Sequence, residues 1–162
     1  MPRTPPYRRE RSARTSCGLT AYVTQQVLNH PDGIMSIRIV QLGSARASDE
    51  GLRIGTVRRP PRGVPRTEFS SRDYYDVWLP MLSPSPDLMA QAKAATSQAE
   101  WDGFVRKFRA EMNSSDASKV LDLLAALSKT THFSVGCYCA DESRCHRGIL
   151  RQLLNERGAV IA

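Results

Sequence analysis

Two periodicities of apolar residues run through this chain, and together they predict alternating strands and helices. From Ile34 to Leu42, Met35, Ile37 and Ile39 alternate with polar positions, which is the period of a half-buried strand. Leu52 to Val57 alternates in the same way and predicts a second strand, after a polar loop from Gly43 to Gly51. Tyr74, Trp78 and Leu82 are spaced four apart, which predicts a short helix or turn ending around Pro80. Ser83-Pro84-Ser85-Pro86-Asp87 supplies turn and cap residues, so a helix is expected to start there and run to about Ala95. Trp101, Phe104, Val105, Phe108 and Met112 recur at helical spacing, and Val120, Leu121, Leu124 and Leu127 do so again after a break at Asn113–Asp116. His132–Cys139 reads as a buried strand. A last helix, opened by Arg144 or Cys145, turns Ile149, Leu150, Leu153 and Leu154 inward and stops at Gly158.

Before the first strand, Leu19, Val23 and Val27 allow a short helix, broken by His30-Pro31-Asp32-Gly33. The organised domain is therefore expected to span 34–162, behind a basic arm at 1–33. The alternation of elements implies an α/β fold: one Rossmann-like domain with a small, largely parallel sheet flanked by helices.

Charge adds to this picture. Lys and Arg number 23 against 16 Asp and Glu, a net charge of +7. Arg3, Arg8, Arg9, Arg11 and Arg14 against Glu10 place more than half of that charge in the first fifteen residues. Such an apolar-poor, Pro-containing segment buries too little surface to offset the entropy of ordering it. It reads as a solvated start or as an arm for nucleic acid or a membrane surface. No apolar run approaches the length of a membrane span, and none follows the basic start as a secretory signal requires, so a cytoplasmic location without a membrane partner is expected.

Two segments carry candidate chemistry. Arg58-Arg59-Pro60-Pro61-Arg62-Gly63-Val64-Pro65-Arg66 is a stiffened cationic loop at the end of the second strand, where open α/β sheets bind ligands. Cys137-Tyr138-Cys139 ends the last strand, and Cys145-His146-Arg147 opens the last helix. Free N–H groups and the dipole at a helix start favour anions and thiolates there, and Arg144 and Arg147 add positive charge. A phosphate-bearing small molecule or nucleic acid held by Arg58, Arg62, Arg144 and Arg147 is one reading. Cys139, Cys145, His146 and Asp141 are then the candidates for chemistry. The spacing of cysteine phosphatases, Cys then five residues then Arg, is not met from either Cys137 or Cys139. A zinc site built from Cys137, Cys139, Cys145 and His146 is a second reading, although Cys-x-Cys-x5-Cys-His is not a common finger spacing. A binding module without catalysis is a third, with Cys137 as a small apolar core residue.

The same segments, taken together, resemble the YeaO-like proteins, a bacterial family known as domain of unknown function 488. The resemblance covers roughly residues 36–156. It rests on Ile37-Arg38-Ile39, on Gly51-Leu52-Arg53-Ile54-Gly55 leading into Pro61-Arg62-Gly63, and on Asp76-Val77-Trp78-Leu79 with Leu82-Ser83-Pro84-Ser85. Trp101, Phe104, Phe108 and Glu111 fit the family's Trp-x-x-Phe helix, and Cys139-Ala140-Asp141-Glu142 with Cys145-His146-Arg147 resembles its Cys-His-Arg ending. Where members of the family usually read Asp-Arg-Leu-Trp-Pro-Arg-Gly, this chain has Val57 for the Asp and Pro60 for the Trp. The resemblance implies a compact Rossmann-like domain with a site between the Arg loop and the Cys-His-Arg turn. It implies no particular activity.

Overall fold

The computed structural model describes residues 35–162. The expected arm at 1–33 and the short helix at 19–29 lie outside the described residues. Among the described residues, four strands form one parallel sheet: β1 (Ile37–Gln41), β2 (Leu52–Gly55), β3 (Val77–Trp78) and β4 (Phe133–Cys137), in the spatial order β1-β4-β2-β3. Ile37 lies beside Phe133 and Gln41 beside Cys137, while Leu52 pairs with Phe133 from the other side. The last strand in sequence is thus central, and all five of its residues are buried. That is why Phe133–Cys137 reads as an unbroken buried run.

The crossover from β3 to β4 carries three helices, α1 (Pro86–Ala94), α2 (Gln98–Met112) and α3 (Ser115–Leu127). A fourth, α4 (His146–Glu156), follows β4. Each start has a local cause. Ser85 accepts from the Leu88 N–H with Pro86 at the first helical position, and Ser97 and Glu100 form a reciprocal capping box. Helical Phe104, Phe108, Met112, Leu121, Leu150 and Leu154 pack with strand residues Ile37, Ile54, Phe133 and Val135 in one core. At about 1.5–3 kcal/mol for each large apolar side chain removed from water, this layer holds the helices to the sheet. After α4, the chain returns to the edge of the sheet, where the Ile37 N–H donates to the Val160 carbonyl at 2.8 Å.

Arg53 and Ser134 alternate with these core residues and so face the other way. There Arg53, wholly buried, donates from Nε to Glu50 Oε1 at 2.5 Å and from Nη2 to Glu50 Oε2 at 2.7 Å. Its Nη1 serves the carbonyls of Ser44 and Asp73, and the Ser134 hydroxyl donates to Glu50 Oε1 at 2.6 Å. One buried arginine therefore ties two loops to the back of the sheet.

The structure differs from expectation over Tyr74–Leu82. No α-helix forms there. Val77 and Trp78 pair with Ile54 and Gly55 as the short edge strand β3, and Pro80–Leu82 is a single 3-10 turn. The Trp78 indole N–H donates to the Val57 carbonyl at 2.7 Å, so Trp78 secures the edge of the sheet while its ring stays 45% exposed. Of the three spaced residues only Leu82 is buried, in the turn, and Tyr75 rather than Tyr74 or Trp78 enters the core.

Candidate functional site

The carboxyl ends of β2 and β4 open into a cleft of about 720 Å³. One wall is the loop Val57–Arg62, stiffened by Pro60 and Pro61. The opposite wall is one face of α1, where Pro86, Met89, Ala90 and Lys93 recur at helical spacing. Cys137, Tyr138, Cys139 and His146 form the floor. Among the described residues, four cations, Arg58, Arg59, Arg62 and Lys93, line the cleft, and no carboxylate does.

These cations are not equivalent. Arg58 spends two of its nitrogens on carbonyls, donating from Nε to Pro84 at 3.1 Å and from Nη2 to Ser83 at 2.8 Å and to Pro84 at 2.9 Å. It thereby joins the loop wall to the residues that precede α1. Arg59, Arg62 and Lys93 are exposed. Arg144 lies elsewhere: its guanidinium sits 5.3 Å above the Trp101 ring and donates to Gln98 Oε1. Arg147 is buried, and its fork donates to the carbonyls of Cys139, of Ala140 at 3.0 Å and of Cys137 at 3.4 Å. It is a clamp on the segment that follows β4. Of the four arginines expected to hold an anion, the structure brings Arg58 and Arg62 to the cleft and places Arg144 and Arg147 outside its lining.

The floor is built around sulfur. Cys137, Cys139 and Cys145 bring their Sγ atoms within 4.8 Å of one another, close enough to hold a single metal ion. The Cys137 thiol donates to Cys139 Sγ at 3.7 Å. Cys137 and Cys145 are buried, and Cys139 is exposed to the cleft. Cys145 is the N-cap of α4 and accepts from the Arg147 N–H at 3.5 Å. Gly148 lets the preceding loop close down, since a Cβ there would stand 2.6 Å from the Glu142 carbonyl oxygen. The hydrogen bond from the Cys137 thiol and the nearby Cys145 thiol hold Cys139 far below the usual thiol range, against the opposing effect of burial, with Arg147 adding a favourable charge interaction. Cys137 is pushed up to about 11, chiefly by sharing its proton with Cys139. Cys145 is raised by its pairing with Cys137 and Cys139 and by burial.

His146 stands beside this triangle rather than in it. Its Nε2 lies 2.7 Å from the Thr56 carbonyl, which can only accept, so Nε2 carries the proton. Nδ1 then presents a lone pair 3.8 Å from Cys145 Sγ. Burial depresses the imidazole, which favours its neutral form. Asp141, expected among the reactive groups, is exposed and accepts from the N–H and hydroxyl of Ser143, which ties its own loop. The sequence reading left out Lys93, Arg59 and Tyr138 as site residues. Arg59 had a signal in the cationic loop and Tyr138 in its place between two cysteines. Nothing in the sequence connects Lys93 to a loop more than thirty residues away.

Among the described residues, no helix is long and apolar enough to cross a membrane. A family model, DUF488-N3a, described as the active DUF488-N3 subclade, matches residues 37–158, in agreement with the resemblance to the YeaO-like proteins. No curated protein and no solved structure matches the chain.

Proposed function

This chain belongs to the active DUF488-N3 subclade, and for its cleft we propose a phosphate-bearing ligand of the nucleotide or nucleic-acid class. One observation carries the reading: Arg59 and Arg62 on one wall and Lys93 on the other line a cleft to which the described residues bring no carboxylate, above an exposed sulfur. Arginine forks and a lysine ammonium match phosphate oxygens by charge and by hydrogen bonding. Cys139 is the group that faces the bound ligand. Arg147 holds the backbone of that floor, and His146 keeps a proton acceptor beside Cys145.

Titration calorimetry with ADP, with inorganic phosphate and with a single-stranded oligonucleotide tests this reading. Arg62→Ala and Lys93→Ala are each expected to weaken ADP binding about tenfold, equivalent to about 1.4 kcal/mol, with an unchanged circular dichroism spectrum. Tight oligonucleotide binding that falls steeply with salt, with weak ADP binding, assigns the cleft to nucleic acid. Failure of all three probes, or equal binding by wild type and both variants, rejects the proposal.

The sulfur spacing favours a second reading, a zinc ion. Two thiolates bound to tetrahedral zinc at about 2.3 Å stand about 3.8 Å apart, and Cys137 and Cys139 are 3.7 Å apart. The three sulfurs would be the protein ligands, with His146 outside them. Protein purified without chelator is then expected to carry about one zinc per chain, and Cys139→Ser is expected to carry far less. Zinc-free wild type that does not take up added zinc removes this reading.

A further inference from the structure

We propose that Cys139 and Cys145 form a reversible disulfide on exposure to a hydroperoxide, which makes the floor of the cleft an oxidisable site. The inference is independent of which phosphate-bearing ligand the cleft takes, and it concerns the metal-free protein. It rests on the unequal placement of three thiols. Cys139 is exposed and lines the cleft, so a small oxidant reaches it. Cys137 and Cys145 are buried, so neither meets the oxidant first. Both have sulfurs within 4.8 Å of Cys139 Sγ, so an oxidised Cys139 has a second thiol at hand.

The first step joins the Cys139 thiolate to one oxygen of the peroxide. With hydrogen peroxide, the O–O bond breaks, an S–O bond forms, and the departing hydroxide takes a proton to leave as water; an organic hydroperoxide leaves instead as its alcohol. In the second step, the Cys145 sulfur attacks the Cys139 sulfur. The S–S bond forms, the S–O bond breaks, and a second water leaves. Two thiols thus give up two electrons and two protons to one hydroperoxide. The Cys145 proton has a receiver, because Nδ1 of His146 lies 3.8 Å from Cys145 Sγ while Nε2 is committed to the Thr56 carbonyl.

Cys145 is the resolving partner rather than Cys137 for a reason of backbone. Cys137 lies within the central strand, paired with Gln41, and a bridge to a residue two positions away closes a small strained ring. Cys139 and Cys145 flank a loop outside regular structure, so a bridge between them breaks no strand pairing.

The test uses the full chain carrying Cys17→Ser, dialysed against chelator, with one equivalent of hydrogen peroxide. After alkylation and trypsin, cleavage at Arg144 separates Cys145 from Cys137 and Cys139. A disulfide-linked pair of peptides that dithiothreitol separates is the expected product. Cys139→Ser is expected to slow its formation by more than tenfold. Cys137→Ser is expected to leave it intact, and Cys145→Ser to leave a sulfenic acid that dimedone traps. Persistent linkage in Cys139→Ser, loss of linkage in Cys137→Ser, or direct overoxidation of wild type without linkage overturns the proposal. All three variants should melt cooperatively, which keeps a folding defect apart from a chemical one.

Discussion

Arg53→Ala is expected to lower the free energy of unfolding by about 3–5 kcal/mol, the range for removing one partner of a buried ion pair. The loss has two parts. Glu50 is left as a buried carboxylate with only the Ser134 hydroxyl and the Ala47 N–H as donors. The carbonyls of Ser44 and Asp73 lose the guanidinium that joins both loops to the sheet. Urea unfolding measures the effect, and a change below about 1 kcal/mol rules out this account of the network. Acid adds a second signature. In the wild type, burial pushes Glu50 up, but hydrogen bonds from Arg53 and Ser134 outweigh it and set the carboxyl below its ordinary value of 4.5. A depressed carboxyl contributes stability above its unfolded value and loses it as pH falls toward the folded one. In Arg53→Ala, burial dominates, so the sign reverses and the variant gains stability relative to wild type when acidified. Replacing the pair together, as Glu50→Gln with Arg53→Met, is expected to recover part of the loss, because no isolated charge remains buried.

Arg147→Ala carries the second large effect, and here stability and the site change together. The guanidinium serves three carbonyls of the segment Cys137–Ala140 while 5% exposed, and Glu142 Oε2 lies 3.9 Å from its Nε. Hydrogen bonds to a charged donor are the stronger kind; the part-buried carbonyls of Cys139 and Ala140 lose theirs, while that of Cys137 keeps the Leu42 N–H, so a loss of about 2–3 kcal/mol is expected. The fork also sets where Cys139 sits, so its thiol should approach ordinary alkylation rates in the variant. Arg147→Lys is not expected to restore the wild type, since one ammonium cannot span three carbonyls as a planar fork does. Thermal melts paired with timed alkylation read both effects. A variant that melts like wild type with unchanged thiol reactivity refutes the clamp.

The contrast between Arg147 and Lys93 marks how far the sequence could be read. Strands β1 and β4 and helices α2 and α4 were legible because burial on one or two faces imposes a period, and Phe104, Phe108, Leu150 and Leu154 display it. Strand β3 was not legible. Two residues carry no period, and their pairing with β2 is decided by partners far off in sequence. At the site, the sequence located the cationic loop and the cysteine segment as a pair. It did not show that Arg147 is occupied by backbone carbonyls, because unpaired carbonyls at a strand end are a property of the folded chain. Arg144 is a similar case, since its stacking on Trp101 depends on how α2 packs. Lys93 reaches the cleft through the placement of α1, which no local pattern encodes.

The position of β4 between β1 and β2 also bears on how the molecule assembles during synthesis. The first two strands touch only through the fourth, so neither ladder of the central sheet can form until Phe133–Cys137 has been made. A chain growing from its amino end therefore carries both early strands, each with the edge meant for the fourth strand open, until the ribosome has moved well past residue 137. Pairing across such sequence distances is slow compared with helix formation, and unpaired edges invite contacts with other chains. For this protein, the sulfur-bearing segment and the closure of the sheet arrive at the same moment of translation. The cleft floor cannot exist before the fold does.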